Sequence, residues 1–145
     1  MSDVAIGPME PSELRSVLDL LERLGLPEAG LARHGATVLV ARAAGRIVGT
    51  AALEVFDDEA LLRSVGVASE RQGTGLGAGL TREALALARR LGVARIYLLT
   101  TTAERFFPRF GFTAIARESI GASVQRSEEF QSACPASAVA MEKVL

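Results

Sequence analysis

Residues 72–79 read Gln72-Gly73-Thr74-Gly75-Leu76-Gly77-Ala78-Gly79, with four glycines at alternate positions. Glycine takes the left-handed backbone freely and lets main-chain N–H groups come close to a bulky anion. From Leu76 onward the apolar residues follow a helical period, so the loop opens a helix. The first N–H groups of that helix are free and its dipole presents positive charge. The combination suits a pyrophosphate, whereas a plain tight turn has no use for so many glycines. Gly73-x-Gly75-x-x-Ala78 also matches a dinucleotide-binding fingerprint. That fingerprint needs an acidic residue about 20 positions on, at the end of the next strand. Here that strand ends Leu98-Leu99-Thr100-Thr101, and three antiparallel strands precede the loop, so NAD is not the expected ligand.

Other side chains are candidates one at a time. Glu54 is the only acidic residue within the expected central strands; it is either a base in a partly buried position or a solvated strand residue. Arg63 lies among Leu61, Leu62 and Val65. A guanidinium there can grip a carboxylate bidentately, although strand arginines usually face solvent. Thr100 and Thr101 can bind a cofactor amide or a substrate, and threonine is also simply a good strand former. Cys134 is the single cysteine, which excludes an internal disulfide and a cysteine-based metal site, and His34 is the single histidine. No metal is expected. Cys134 has no base near it in sequence and reads as a small apolar group. His34 reads as a helix C-terminal residue.

The elements that must position these residues follow from periodicity and turn chemistry. Val4–Ile6 is a short strand, and Pro11 with Ser12 opens a helix whose Leu14, Val17, Leu18, Leu21 and Leu24 share a face until Gly25. Residues 28–34 form a second short helix. Residues 37–41 and 47–56 form a hairpin around Ala43-Ala44-Gly45-Arg46, and Asp57-Asp58-Glu59 turns into a third antiparallel strand over 60–67. After the loop, Leu76, Leu80, Ala84, Leu87 and Leu91 mark one side of a four-turn helix that Gly92 ends. A strand over 95–101 follows, and a strand–helix–strand unit of this kind requires a parallel pair. A short helix around 103–107, a strand through Ala116, a mixed polar segment over 118–136 and a final strand over 137–144 complete the chain. The fold class is α+β: a mixed, mostly antiparallel sheet flanked by helices, in one domain over residues 1–145.

Two motifs carry a family resemblance. The run from Val67 through Gln72-Gly73-Thr74-Gly75-Leu76-Gly77 resembles the central signature of the GNAT (GCN5-related) N-acetyltransferases, and Phe107-Pro108-Arg109-Phe110-Gly111-Phe112 is similar to their second signature. The element order matches as well, so the resemblance spans essentially the whole chain. It implies a sheet splayed at its parallel pair to admit acetyl-CoA. Gln72, Gly73, Thr74, Gly75, Leu76, Gly77 and Ala78 would hold the pyrophosphate. Val65, Gly66 and Val67 would pair with the pantetheine arm, and the Val65 main chain would polarise the thioester. Phe107 would pack at the thiol end. Many members have there a tyrosine that protonates the leaving thiol; this chain has none at that position, which leaves water, a threonine hydroxyl or the intermediate's own proton. Leu61-Leu62-Arg63-Ser64-Val65, Tyr97 through Ala103 and Phe130 through Ala138 resemble the small GNAT proteins of arsenic-resistance operons. The Leu98–Ala103 stretch is similar to the acetyltransferase domain of N-acetylglutamate synthases.

Both likenesses imply direct transfer of acetyl to the amino group of a small amino-acid-like acceptor. Glu54 would take the ammonium proton; Arg63, Thr100 and Thr101 would bind the acceptor. Acetylation of a protein or peptide amine and a non-catalytic acyl-CoA sensor are the alternatives. The 145 residues include 16 basic and 17 acidic ones, with a pI near 5.9 and a mean hydropathy of +0.28. That balance gives no footprint for nucleic acid or an anionic membrane. Without a long apolar run or a basic, apolar start, the expected location is the cytoplasm. An edge strand near the C-terminus leaves room for a homodimer.

Overall fold

The computed structural model describes residues 4–26, 28, 31, 37–126 and 138–145. Seven strands form one sheet: β1 (Val4–Pro8), β2 (Val38–Ala43), β3 (Arg46–Phe56), β4 (Glu59–Val67), β5 (Arg95–Thr100), β6 (Thr113–Ile115) and β7 (Val139–Val144). Their order is β1-β2-β3-β4-β5-β7-β6. All neighbours are antiparallel except β4 and β5. The helices are α1 (Leu14–Leu24), α2 (Leu76–Arg90) and the short α3 (Ala122–Gln125).

Local chemistry accounts for the boundaries. A 3-10 turn at Pro11–Glu13 leads into α1, and Gly25 closes it in the left-handed conformation at φ 69°. Ala44 and Gly45, both at positive φ, make the two-residue turn between β2 and β3. Asp57, at φ 57°, begins the turn into β4.

The sheet has a helix on each face. Leu80, Ala84 and Ala88 of α2 join Leu39, Ala41, Leu53 and Leu62 in one buried cluster. Val17 and Leu21 of α1 pack with Val38, Val40 and Ala52, whose side chains alternate with the first set and so face the other way. On this second face, further along, Val124 of α3 meets Leu61, Tyr97, Ile120 and Ala140.

Three expectations need adjustment. The turn after β5 is a 3-10 segment at Phe107–Phe110, beyond the helix expected around 103–107. Pro108 sits in its first turn, where a missing N–H costs nothing. Leu91 lies past the end of α2 and is 46% exposed, so the packed face of the helix runs through Leu80, Thr81, Ala84, Leu85 and Ala88. The turn into β4 is two residues, Asp57-Asp58, because Glu59 already pairs with Phe56, where a turn over 57–59 was expected; at the other end of the sheet the edge strand is β6. Most of the helix expected over 28–34 and of the 118–136 segment falls outside the described residues, as do His34 and Cys134.

Candidate active site

A cleft of about 720 Å³ opens where β4 and β5 part. Their parallel pairing runs Glu59↔Arg95, Ala60↔Ile96 and Leu61↔Tyr97, and then stops. Beyond that point the β5-facing edge of Leu62–Val67 is unpaired with β5 and lines the cleft, opposite Leu98–Thr102. Such an edge can hydrogen-bond an extended ligand arm through its main chain.

A bulge helps to part the strands. Thr50 pairs with Gly66 and Ala52 with Arg63, so Ser64 and Val65 together oppose Ala51 alone. Ser64 takes φ 57°, a left-handed conformation that only a surrounding constraint maintains in serine. Part of that constraint is visible. The buried Thr50 hydroxyl donates to the Ser64 carbonyl at 2.5 Å. No composition rule marks Ser64 in advance, yet it stands beside Val65, in the wall of the cleft.

Gln72 and Gly77 of the glycine loop line this cleft, while Thr74, Gly75, Leu76 and Gly79 line a second pocket with Val4, Ile6 and Arg71. Gly73 and Gly75 have φ 81° and 85°, and Gly75 is the N-cap of α2 with no side-chain cap. A Cβ built on either would meet nothing within 4 Å, so conformation and not crowding demands glycine here. The Gln72 side chain donates to the Val67 carbonyl at 3.0 Å, fastening the loop to the end of β4. The Thr74 hydroxyl donates to the Arg71 carbonyl at 2.6 Å. Leu76, Gly77 and Ala78 form the first turn of α2, and within its helical ladder the first donor to reach back is Gly79, to Gly75. Amides of this first turn and an open strand edge therefore converge on one cleft. The arrangement fits a ligand that carries a diphosphate and a long arm.

Glu54 and Arg63 come together. Register places Glu54 opposite Leu61 and Ala52 opposite Arg63, so the two charged residues are diagonal neighbours on one face of the sheet. Arg63 Nη1 lies 2.6 Å from Glu54 Oε1, with side-chain exposures of 0% and 3%. Neither is a solvated strand residue. Arg63 Nε also approaches Ser64 Oγ at 3.4 Å. A two-residue turn at Asp57-Asp58, with Glu59 already paired to Phe56, sets this register.

The remaining site residues divide. Thr100 Oγ1 accepts from the Ala103 N–H at 2.9 Å, closing the turn after β5, while Thr101 is exposed at the rim of the cleft. Phe107 is buried and edge-on to Phe106 and Phe112, with centroids 5.1 and 5.8 Å away. Its ring brings no proton donor to the cleft. The single tyrosine, Tyr97, sits where β4 and β5 are still paired and donates to Glu59 Oε2 at 3.0 Å. Burial pushes its phenol above the usual 10, so it stays protonated at neutral pH, tied to Glu59. Among the described residues no group of three or more His, Cys, Asp or Glu side chains could hold a metal ion. Among them, too, no helix is long and apolar enough to cross a membrane.

The chain is similar to known proteins. A family model described as an acetyltransferase (GNAT) domain matches residues 34–114. The amino-acid acetyltransferase of Mycobacterium tuberculosis (strain ATCC 25618 / H37Rv) is 37% identical over 81 residues, covering 55% of this chain and 46% of that protein. The chain thus matches about half the length of this curated relative. The structure of Rv2747 from Mycobacterium tuberculosis in complex with CoA superimposes with a TM-score of 0.83 at 26% identity, over 97% of this chain and 99% of that one. N-acetylglutamate synthase from Neisseria gonorrhoeae, complexed with coenzyme A and N-acetyl-glutamate, gives a TM-score of 0.85 at 20% identity. That superposition covers 100% of this chain and 36% of the synthase, and at such identity it is a likeness of fold.

Proposed function

Because the chain belongs to the GNAT family of acetyltransferases, we propose that it transfers acetyl from acetyl-CoA to the amino group of a small amino-acid-like acceptor. The observation that carries the acceptor class is Arg63, which lines the cleft and is ion-paired at 2.6 Å with the buried Glu54. A free amino acid presents a carboxylate and an ammonium side by side, the charge complement of a guanidinium beside a carboxylate. The amino-acid acetyltransferase of Mycobacterium tuberculosis, to which the chain is similar, supports the same acceptor class.

In this reading residues 1–145 act as one catalytic domain. Acetyl-CoA is the donor: the amides of 73–78 hold its diphosphate, and the edge at Val65, Gly66 and Val67 holds its arm. Glu54 accepts a proton from the acceptor's ammonium, directly or through water, which leaves a neutral amine able to attack the thioester carbon. The Val65 N–H stabilises the charge that develops on the carbonyl oxygen. The carbon–sulfur bond then breaks, and the departing thiolate takes the proton that the attacking nitrogen sheds, directly or relayed through water or a cleft threonine hydroxyl. Arg63, Thr100 and Thr101 orient the acceptor.

The test is CoA release from acetyl-CoA with free amino acids, their methyl esters, plain amines and amino-acid-like arsenicals. The arsenicals belong in it because three short stretches resemble proteins of arsenic-resistance operons. Turnover with zwitterionic acceptors and loss of it with esters is the expected pattern. Equal rates with esters and plain amines would remove Arg63 from recognition. A second reading, a non-catalytic acyl-CoA sensor, draws on Phe107 standing where a proton-donating tyrosine is common. CoA binding without turnover on any acceptor would favour it.

A further inference from the structure

We infer that Arg82 and Arg109 form an anion clamp at the cleft mouth that takes the ribose 3′-phosphate of the donor, so that the protein selects CoA over 3′-dephospho-CoA. The inference rests on the donor reading above and adds a second phosphate subsite to it. Arg109 Cζ lies 5.0 Å from the centroid of the Phe106 ring, and Arg82 Cζ 5.6 Å from that of Phe110. The two rings are themselves neighbours, 5.1 Å apart. Arg82 comes from α2 and Arg109 from the 3-10 turn after β5, so one aromatic pair gathers two cations from separate elements.

The place is beside the diphosphate cradle. The tip of the Phe106 ring lies 3.7 Å from a Cβ built on Gly77, in the first turn of α2, and Phe106 also lines the cleft. A donor whose diphosphate rests on that turn carries one further phosphate, attached to its ribose just beyond.

The chemistry fits a dianion. A ring face holds a guanidinium by cation–π attraction and restrains its long stem, yet consumes none of its N–H donors. Both arginines are exposed, and among the described residues no carboxylate pairs with either. Two restrained, hydrogen-bond-ready guanidiniums suit the doubly charged oxygens of a phosphate monoester. Were the rings and arginines only packing the turn against α2, substitution would change stability and leave ligand preference alone.

Calorimetric titration with CoA and with 3′-dephospho-CoA separates these roles. The unaltered protein should bind CoA about tenfold or more tightly than the dephosphorylated form. Arg82→Gln and Arg109→Gln should each weaken CoA about three- to tenfold, leave 3′-dephospho-CoA unchanged, and together bring the ratio near one. Equal affinity of the unaltered protein for both ligands overturns the inference and leaves the donor reading standing. So does a variant that weakens both ligands by one factor. Binding of neither ligand would sink the donor reading, and the clamp with it.

Discussion

Ser64 holds a left-handed backbone inside an otherwise extended strand, a conformation that costs a non-glycine residue about 1–2 kcal/mol. Ser64→Gly should relieve that strain, partly offset by the greater freedom of glycine in the unfolded chain, whereas Ser64→Ala keeps it and loses the hydroxyl near Arg63 Nε. Urea unfolding is expected to find the glycine variant about 1 kcal/mol more stable than the alanine one. Equal midpoints would mean that the bulge does not hold Ser64 in this conformation. The Arg63–Glu54 pair makes a second prediction. Removing either partner alone strands a buried charge and should cost about 3–5 kcal/mol, while Arg63→Met with Glu54→Leu should cost far less. The double variant should fold, bind CoA and release none of it with amino acids; retained turnover would retire both residues from the chemistry. These residues differ in how far sequence exposed them. Glu54 and Arg63 stood out as charges among apolar strand positions, but their diagonal placement did not: a turn over 57–59 would put them on opposite faces, and pairing of Glu59 with Phe56 brings them to one. Ser64 could not stand out, because serine is an ordinary strand residue and its conformation is held in part from β3, by the Thr50 hydroxyl.

Glycines at the junctions of elements separate two physical demands. At Gly75, the N-cap of α2, space is open and φ alone is special. Gly75→Ala should therefore cost about 1 kcal/mol of stability. It should also weaken CoA binding about tenfold, because the amides it orients shift from the diphosphate. Gly49 has ordinary backbone but no room: a Cβ there would lie 2.8 Å from Leu80 Cδ1 and 3.3 Å from the Gly66 carbonyl oxygen. Gly49→Ala should cost about 1–3 kcal/mol through overpacking of α2 against β3 and β4, visible as a lower melting temperature. Little change at Gly49 would mean that α2 can slide to make room. At this scale much was readable. The two-residue turn at Ala44-Gly45, the helix stop at Gly25 and the loop before α2 each depend on a local rule that the sequence states outright. The segment after β5 was harder: a helix was expected around 103–107, while Pro108 and packing on Phe112 set a 3-10 turn further on. Leu91 misled for a related reason: its period belongs to the α2 face, but the helix has already ended beneath it.

Across the whole molecule, the two faces of the sheet divide the work. α2 and its loop belong to one face, the Arg63–Glu54 pair to the other, and the gap between β4 and β5 joins them. That division follows from strand alternation and from a parallel pair which separates after three residues; the sequence predicted the pair, and the bulge that helps to part the strands was hidden from it. The edge beyond β2 is held by a different device. Arg42 of β2 places Nη2 at 2.6 Å and Nε at 2.7 Å from the two carboxylate oxygens of Glu13, and Nη2 also donates to the Pro8 carbonyl at 2.7 Å. One guanidinium thereby ties the end of β1 and the start of α1 to β2. Its hydrogen bonds hold the Glu13 carboxyl at about 2, below the ordinary 4.5. A carboxylate with a lowered folded-state value stabilises the fold in full above its unfolded value and loses that contribution as pH falls through the folded one. The stabilisation should therefore be complete above about pH 4.5 and fade between there and about pH 2. Both side chains keep some exposure, 30% for Arg42 and 21% for Glu13, so screening reduces the contribution to about 1 kcal/mol. Urea unfolding of the unaltered protein and of Glu13→Gln at several pH values tests it. The difference between them should be near 1 kcal/mol at pH 7 and close progressively below pH 4.5, because glutamine has no proton to gain. A difference that persists unchanged to pH 2 would assign the loss to packing of the turn at Pro11–Glu13 and not to the ion pair.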